Sequence, residues 1–191
     1  MSPRNKIQNE AVRQASIDRI MQACLTLFSR QGYAATSVNQ IAREAGVSKG
    51  LLYNYFSSKN EMLKELFLYF SKEEHQIMEA VVDDDPHVFL QNIIRMTCSE
   101  IREKKDIWRM ITAMSMQPDM YAFIHDIAKA KMHKYFALLE ELMDGVGIEN
   151  PAGEAKMLAA TLDGIAMHYL VSGENYPMQE TENYLIQKYS R

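Results

Sequence analysis

From Ser48 to Lys59 the chain reads Ser-Lys-Gly-Leu-Leu-Tyr-Asn-Tyr-Phe-Ser-Ser-Lys, and no other segment carries so specific a chemical signal. Ser48 and Lys49 stand where a helix would begin, offering free backbone amides and a partial positive charge to a phosphate. Gly50 has no Cβ, so the backbone there can approach a ligand closely. Tyr53 and Tyr55 carry hydroxyls that can donate to phosphate oxygens. Asn54 can bond a base edge or a backbone oxygen, and Lys59 can neutralise a further phosphate. A helix lying in the major groove presents such side chains to base edges. Phosphate contacts position the protein and base contacts select the site, so the chemistry expected of this segment is recognition of duplex DNA. Taken singly, Tyr53 can equally be a core aromatic, and Lys49 and Lys59 ordinary surface bases. The ordered set carries the reading.

Positioning these groups requires two short helices and a tight turn. Ser37 followed by Gln40 is a capping box, each residue satisfying an orphan amide near the other. Val38, Ile41, Ala42 and Ala45 form the inner face of the helix it opens. Gly46 supplies the turn, Val47 plugs the corner, and Ser48 caps the next helix, in which Leu52 and Phe56 lie four apart and face inward. Ser58 and Glu61 read as a second capping box opening a long helix. Upstream, the spacing of Ile17, Ile20, Met21, Cys24, Leu25 and Phe28 predicts a helix over residues 16–30, ended at Gln31-Gly32. Residues 1–15 are polar and predict a frayed arm. The functional alternative is an arm touching phosphates through Arg4 and Lys6.

Several of these residues together, Gly32-Tyr33, Thr36-Ser37-Val38, Ile41-Ala42, Ala45-Gly46-Val47-Ser48, Lys49-Gly50, Leu52-Tyr53, Tyr55-Phe56 and Ser58-Lys59, resemble the TetR family of bacterial transcriptional repressors. The resemblance covers about a third of the chain, from the first helix to Leu63; beyond that only the helical layout is similar. It implies an all-α homodimer, with a three-helix helix-turn-helix domain (residues 1–60) and a six-helix ligand-binding and dimerisation domain (residues 61–191). Carried onto this sequence, it places DNA contacts at Ser37, Asn39, Ser48, Lys49, Gly50, Leu51, Tyr53, Asn54, Tyr55 and Lys59. Many members have His where Asn54 stands, which keeps a polar contact and leaves its partner open. Leu51 either touches a thymine methyl or is simply exposed.

The rest of the chain is consistent with a helical body. Gly and Pro are scarce, at 8 and 5, while Met numbers 14, a mix that favours helix. Punctuation at Pro86, Pro118, Gly145, Gly147, Pro151, Gly173 and Pro177 divides it into further helices, for nine in all. Nine bases against four acids give residues 1–64 a net +5, leaving −9 for the remainder of a chain whose total is −4. A basic end joined to an acidic body suits a DNA reader. Met96, Trp108, Met114, Phe123 and Met132 can line an adaptable apolar pocket or simply pack the core. His168 can anchor a ligand or be a satisfied core or interface histidine. Helices 8 and 9 are expected to form the dimer. Their small residues are Ala155, Ala159, Ala160, Gly164 and Ala166, with apolar area from Leu158, Leu162, Ile165, Tyr169, Tyr184, Leu185 and Tyr189. Two recognition helices about 34 Å apart would read the half-sites of a palindromic operator.

Other classes find little support. The sequence has no nucleophile elbow, phosphate loop or metal cluster, and no carboxylate pair at catalytic spacing. It therefore reads as no enzyme, with no metal and no cofactor. Cys24 and Cys98 lie far apart within helical apolar patterns, as buried thiols of a reducing cytosol do. No apolar run spans a bilayer, and the N-terminus lacks the core of a signal peptide, so a cytoplasmic location without membrane contact is expected. The expected function is that of a repressor released from DNA by a small apolar or amphipathic effector. The alternative is a ligand-independent adaptor or nucleoid-associated factor whose body binds a protein partner.

Overall fold

A computed structural model of the chain describes residues 3–115 and 118–190, with the side chains of residues 3–7, 71, 73–77, 114–115, 118–125 and 127 not described. The expectations for Arg4, Lys6, Met114 and Phe123 therefore lie outside the described side chains. The fold is all-α, with no strand among the described residues. In chain order the helices are α1 (Pro3–Gln31), α2 (Val38–Glu44), α3 (Lys49–Tyr55), α4 (Lys59–Ala80), α5 (Pro86–Glu103), α6 (Lys105–Ser115), α7 (Pro118–Gly145), α8 (Pro151–Ser172) and α9 (Met178–Lys188). A short 3-10 turn, Gly173–Asn175, precedes α9. None of them, over the described residues, is long and apolar enough to cross a membrane.

The chain divides into two compact units, residues 1–72 and 73–191. In the first, α1 begins well before residue 16. Ser16 does not cap a helix start; its hydroxyl donates to the Val12 carbonyl at 2.9 Å, inside a helix already formed. Arg13–Glu10 and Gln14–Asp18 pairs at helical spacing support that polar extension. Ile20, Cys24 and Phe28 of α1 pack in a core with Ile41, Leu52, Met62, Leu63 and Leu66, all at most 1% exposed. Cys24 donates to the Met62 sulfur at 3.9 Å.

In the second unit, α5, α7, α8 and α9 share one core containing Leu90, Ile93, Ile94, Cys98, Ile101, Leu139, Met143, Leu158, Leu162 and Leu185. The expected punctuation acts through specific bonds. Asp85 caps α5 through the His87 amide at 2.9 Å, with Pro86 in the first turn. Asn150 caps α8 through the Gly153 amide at 3.1 Å. Both cysteines are buried, and burial raises the Cys24 thiol to about 12 and the Cys98 thiol to about 11.

Candidate nucleic-acid interface

The turn between α2 and α3 is built from local bonds. At the start of α2, the Gln40 amide donates to Ser37 Oγ at 3.3 Å and the Ser37 amide to Gln40 Oε1 at 2.8 Å, completing the capping box. At its end, Val47 N–H donates to Ala42 O at 3.0 Å and Gly46 N–H to Arg43 O at 3.2 Å. This is a Schellman closure, with Gly46 in the left-handed position at φ +65°. Ser48 then caps α3, its Oγ accepting from the Leu51 amide at 3.1 Å. Inward, Leu52 is fully buried and Phe56 nearly so, and Ile41, Ala42 and Ala45 close the other side.

Outward, Ser37, Asn39, Ser48, Lys49, Gly50, Tyr53 and Asn54 are exposed, and Leu51 and Tyr55 are half-buried. Tyr53 is 46% exposed, so it is no core aromatic, and the Lys49 ammonium sits 5.9 Å from its ring centroid. Nothing lies within 4 Å of where a Cβ at Gly50 would be. The arrangement offers hydroxyls, an amide, an ammonium and bare backbone on the surface of one short helix braced from beneath. Such a surface is equipped to bond phosphate and base edges together.

Lys59 is placed differently. Its ammonium donates to Tyr33 O and to Thr36 O, both at 2.7 Å, and lies 4.1 Å from the Tyr33 ring centroid. Desolvation lowers its pKa and also raises that of the Tyr33 phenol. The box expected at the start of α4 is split. The Glu61 amide bonds Ser58 Oγ at 3.1 Å, but the Glu61 carboxylate reaches one residue further back, to Ser57 N and Oγ. Those bonds hold its pKa below the usual carboxylate range. One neighbour carried no sequence signal: Arg13 of α1 places its guanidinium 5.9 Å from the Tyr55 ring centroid.

The residues expected to line a ligand pocket are not gathered in either hollow of the fold. Met96 is half-buried on α5, Trp108 packs against the core from α6, and Met132 on α7 is 45% exposed. His168 is exposed on α8, its ring stacked on Tyr176 at 6.1 Å. An open groove of about 520 Å³ lies instead among Arg102, Lys105, Tyr169, Glu174 and Tyr176. A smaller hollow of about 140 Å³, in the first unit, is lined by residues of α1 and α4 including Met21, Leu66 and Tyr69.

The residues named for dimer contact also separate. Ala155, Leu158, Ala159, Leu162, Ile165, Ala166, Tyr169, Leu185 and Tyr189 are buried in the unit's own core. Ala160 and Tyr184 are exposed, and Gly164, half-buried, has nothing within 4 Å of a Cβ position. The same outer face of α8 carries Met157, Met167 and Val171, which the sequence did not single out for this role. Because α8 is apolar on both sides, helical spacing alone could not say which side faces inward.

Residues 20–66 match the family described as bacterial regulatory proteins, tetR family. The chain is 25% identical over 182 residues to the HTH-type transcriptional regulator YerO of Bacillus subtilis (strain 168). That match covers 90% of this chain and 62% of YerO, so the chain spans less than two thirds of that relative's length. Among solved structures, a TetR transcription regulator from Haloarcula marismortui ATCC 43049 superposes with a TM-score of 0.78 at 16% identity, covering 92% of this chain and 96% of that one. The regulator FadR from Bacillus subtilis, in complex with stearoyl-CoA, superposes with a TM-score of 0.75 at 19% identity, covering 90% and 96%. These two likenesses establish the fold. The proteins named are transcriptional regulators, not enzymes.

Proposed function

The chain belongs to the TetR family of bacterial regulatory proteins, and we propose that it works as a homodimeric repressor that leaves its operator when a small apolar or amphipathic ligand binds the helical body. Residues 1–60 read DNA and residues 61–191 bind ligand and dimerise. The observation that carries the reading is the exposed set on α3, with Lys49, Gly50, Tyr53 and Asn54 outward over a buried Leu52. Ser37, Asn39, Ser48, Leu51 and Tyr55 complete the contact surface.

One short recognition helix gives little affinity, which makes a second copy physically necessary. The outer face of α8 supports one. Met157 is 61% exposed and Val171 79%, beside Tyr184 of α9 at 69%. Ala160 and Gly164 lie between them and leave room for another helix to approach. Ligand then acts by binding one of two dimer states better than the other. The spacing of the recognition helices follows that population shift. A fold neighbour holding stearoyl-CoA makes acyl-CoA thioesters the first compounds to screen.

The test is footprinting of purified protein on genomic DNA, followed by a ligand screen on the recovered site. A Lys49→Ala, Tyr53→Ala double variant is expected to lose the footprint and to show a shallower salt dependence, by about 0.9 in log–log slope for the lost ammonium. A double variant that keeps parental affinity and parental salt sensitivity rejects the DNA interface. A complex that persists through the whole ligand screen rejects the switch alone.

A further inference from the structure

The Lys59 ammonium is already engaged inside the fold, and we propose that Lys59 is a positioning residue that locks the start of α2 to the start of α4, and not a phosphate ligand. The inference rests on the DNA-binding reading above, but its geometry lies wholly within the first unit.

Three observations converge. An ammonium has three N–H donors, and two of those of Lys59 go to the carbonyls of Tyr33 and Thr36, each at 2.7 Å. Both carbonyls belong to the turn joining α1 to α2. Thr36 immediately precedes Ser37, the cap of α2, and is itself 1% exposed, with its hydroxyl on Gly32 O at 2.8 Å. Tyr33 is gripped twice by the first turn of α4. The Lys59 ammonium lies over its ring, and its hydroxyl donates to the side chain of Asn60. The far side of the ring system is fixed as well, by Phe28 at 5.2 Å between centroids.

The consequence is mechanical. The first residues of α4 and the cap of α2 move as one piece, because the carbonyls between them share one cation. Cation–carbonyl bonds are charge-assisted, and partial burial strengthens them. A displacement of the start of α4 is therefore passed to Ser37 and Asn39 on the proposed DNA face. A phosphate ligand would need its ammonium turned outward, away from both carbonyls.

The test uses the full chain and a duplex selected from a random pool by the parent protein, titrated across salt concentrations. Lys59→Met keeps the stem and removes the cation. Its affinity for the selected duplex is expected to fall about tenfold, with an unchanged salt slope. Lys49→Ala, the control for a genuine phosphate contact, should lower the slope by about 0.9. Tyr33→Leu leaves the Lys59 charge in place and should also weaken binding at constant slope, so the inference survives if Lys59→Met does not fold. Without DNA, the Ser37, Gln40 and Ile41 amides should exchange faster in both variants. A Lys59→Met slope that drops as far as that of Lys49→Ala overturns the proposal, as does unchanged exchange at these amides. If the parent shows no salt-dependent DNA affinity, the functional reading fails, and amide exchange alone decides the latch.

Discussion

Gly46 and Gly50 sit four residues apart and are glycine for different reasons. Gly46 adopts φ +65° with nothing within 4 Å of a Cβ position, so its requirement is conformational and not steric. Gly46→Ala should destabilise the first unit by about 1 kcal/mol, the cost of a left-handed alanine, read from denaturant unfolding. Gly50 lies within α3 at ordinary φ, with open space beyond its Cα. Gly50→Ala should stabilise by about 0.5 kcal/mol and yet weaken DNA binding, because the added methyl occupies the side from which a phosphate approaches. A stabilised variant with undiminished affinity would remove Gly50 from the interface. Such positions were legible in the sequence because their partners are close: Ser37 with Gln40, Ser48 with Leu51. Lys59 was not. Its partners Tyr33 and Thr36 lie 26 and 23 residues away, and only the folded turn brings them under its ammonium.

At the scale of elements, caps and prolines located the helices, while their faces depended on what was packed against them. α8 shows the difference. Its boundaries follow from Asn150 and Gly173, but it is apolar all round, so periodicity could not separate core side from free side. Ala155, Ala159 and Ala166 proved to serve contact within the unit, while Ala160 and Gly164 are left outward. Two substitutions on α8 should therefore behave oppositely. Leu162→Ala, at a position 2% exposed, should cost about 2–5 kcal/mol of stability. Met157→Asp, on the outer face, should leave the secondary structure intact and shift the dimer toward monomer, as read by sedimentation equilibrium at several concentrations. Operator affinity should fall with it, because each monomer retains only one recognition helix. A Met157→Asp protein that sediments as the parent does would send the dimer contact elsewhere.

For the whole molecule, charge sets how stability responds to pH. The end of α9 is tied to α8 by one carboxylate: Tyr189 donates to Glu154 Oε1 at 2.6 Å, and the Lys188 ammonium pairs with the same oxygen. The Lys188 hydrogen bond, then that of Tyr189, holds the Glu154 pKa below its ordinary 4.5. The folded state thus binds fewer protons here than the unfolded chain, and this contribution is present above pH 4.5 and lost as pH falls through the folded pKa. Half-buried Asp163 has the opposite sign, because desolvation raises its pKa and acid relieves its cost. On the alkaline side every shifted thiol and phenol acts in one direction. Burial lifts Cys24 from 9.0 to about 12, Cys98 from 9.0 to about 11 and Tyr189 from 10.0 to about 12, while the Glu154 bond raises Lys188 above 10.5. Each group keeps its proton longer folded than unfolded, so its contribution is complete below the unfolded pKa and disappears as pH rises through the folded one. Unfolding midpoints should therefore hold level near neutrality and drop steadily from about pH 9 upward. Because Cys24 lies in the first unit and Cys98 in the second, both units should weaken. Cys24→Ala should flatten the slope above pH 9 for the first unit while lowering its stability at neutral pH by opening a cavity. Thermal melts at pH 7, 9 and 10.5, followed by amide exchange in α1 and α5, check both. An unchanged alkaline slope in Cys24→Ala would show that the thiol is not the group releasing its proton.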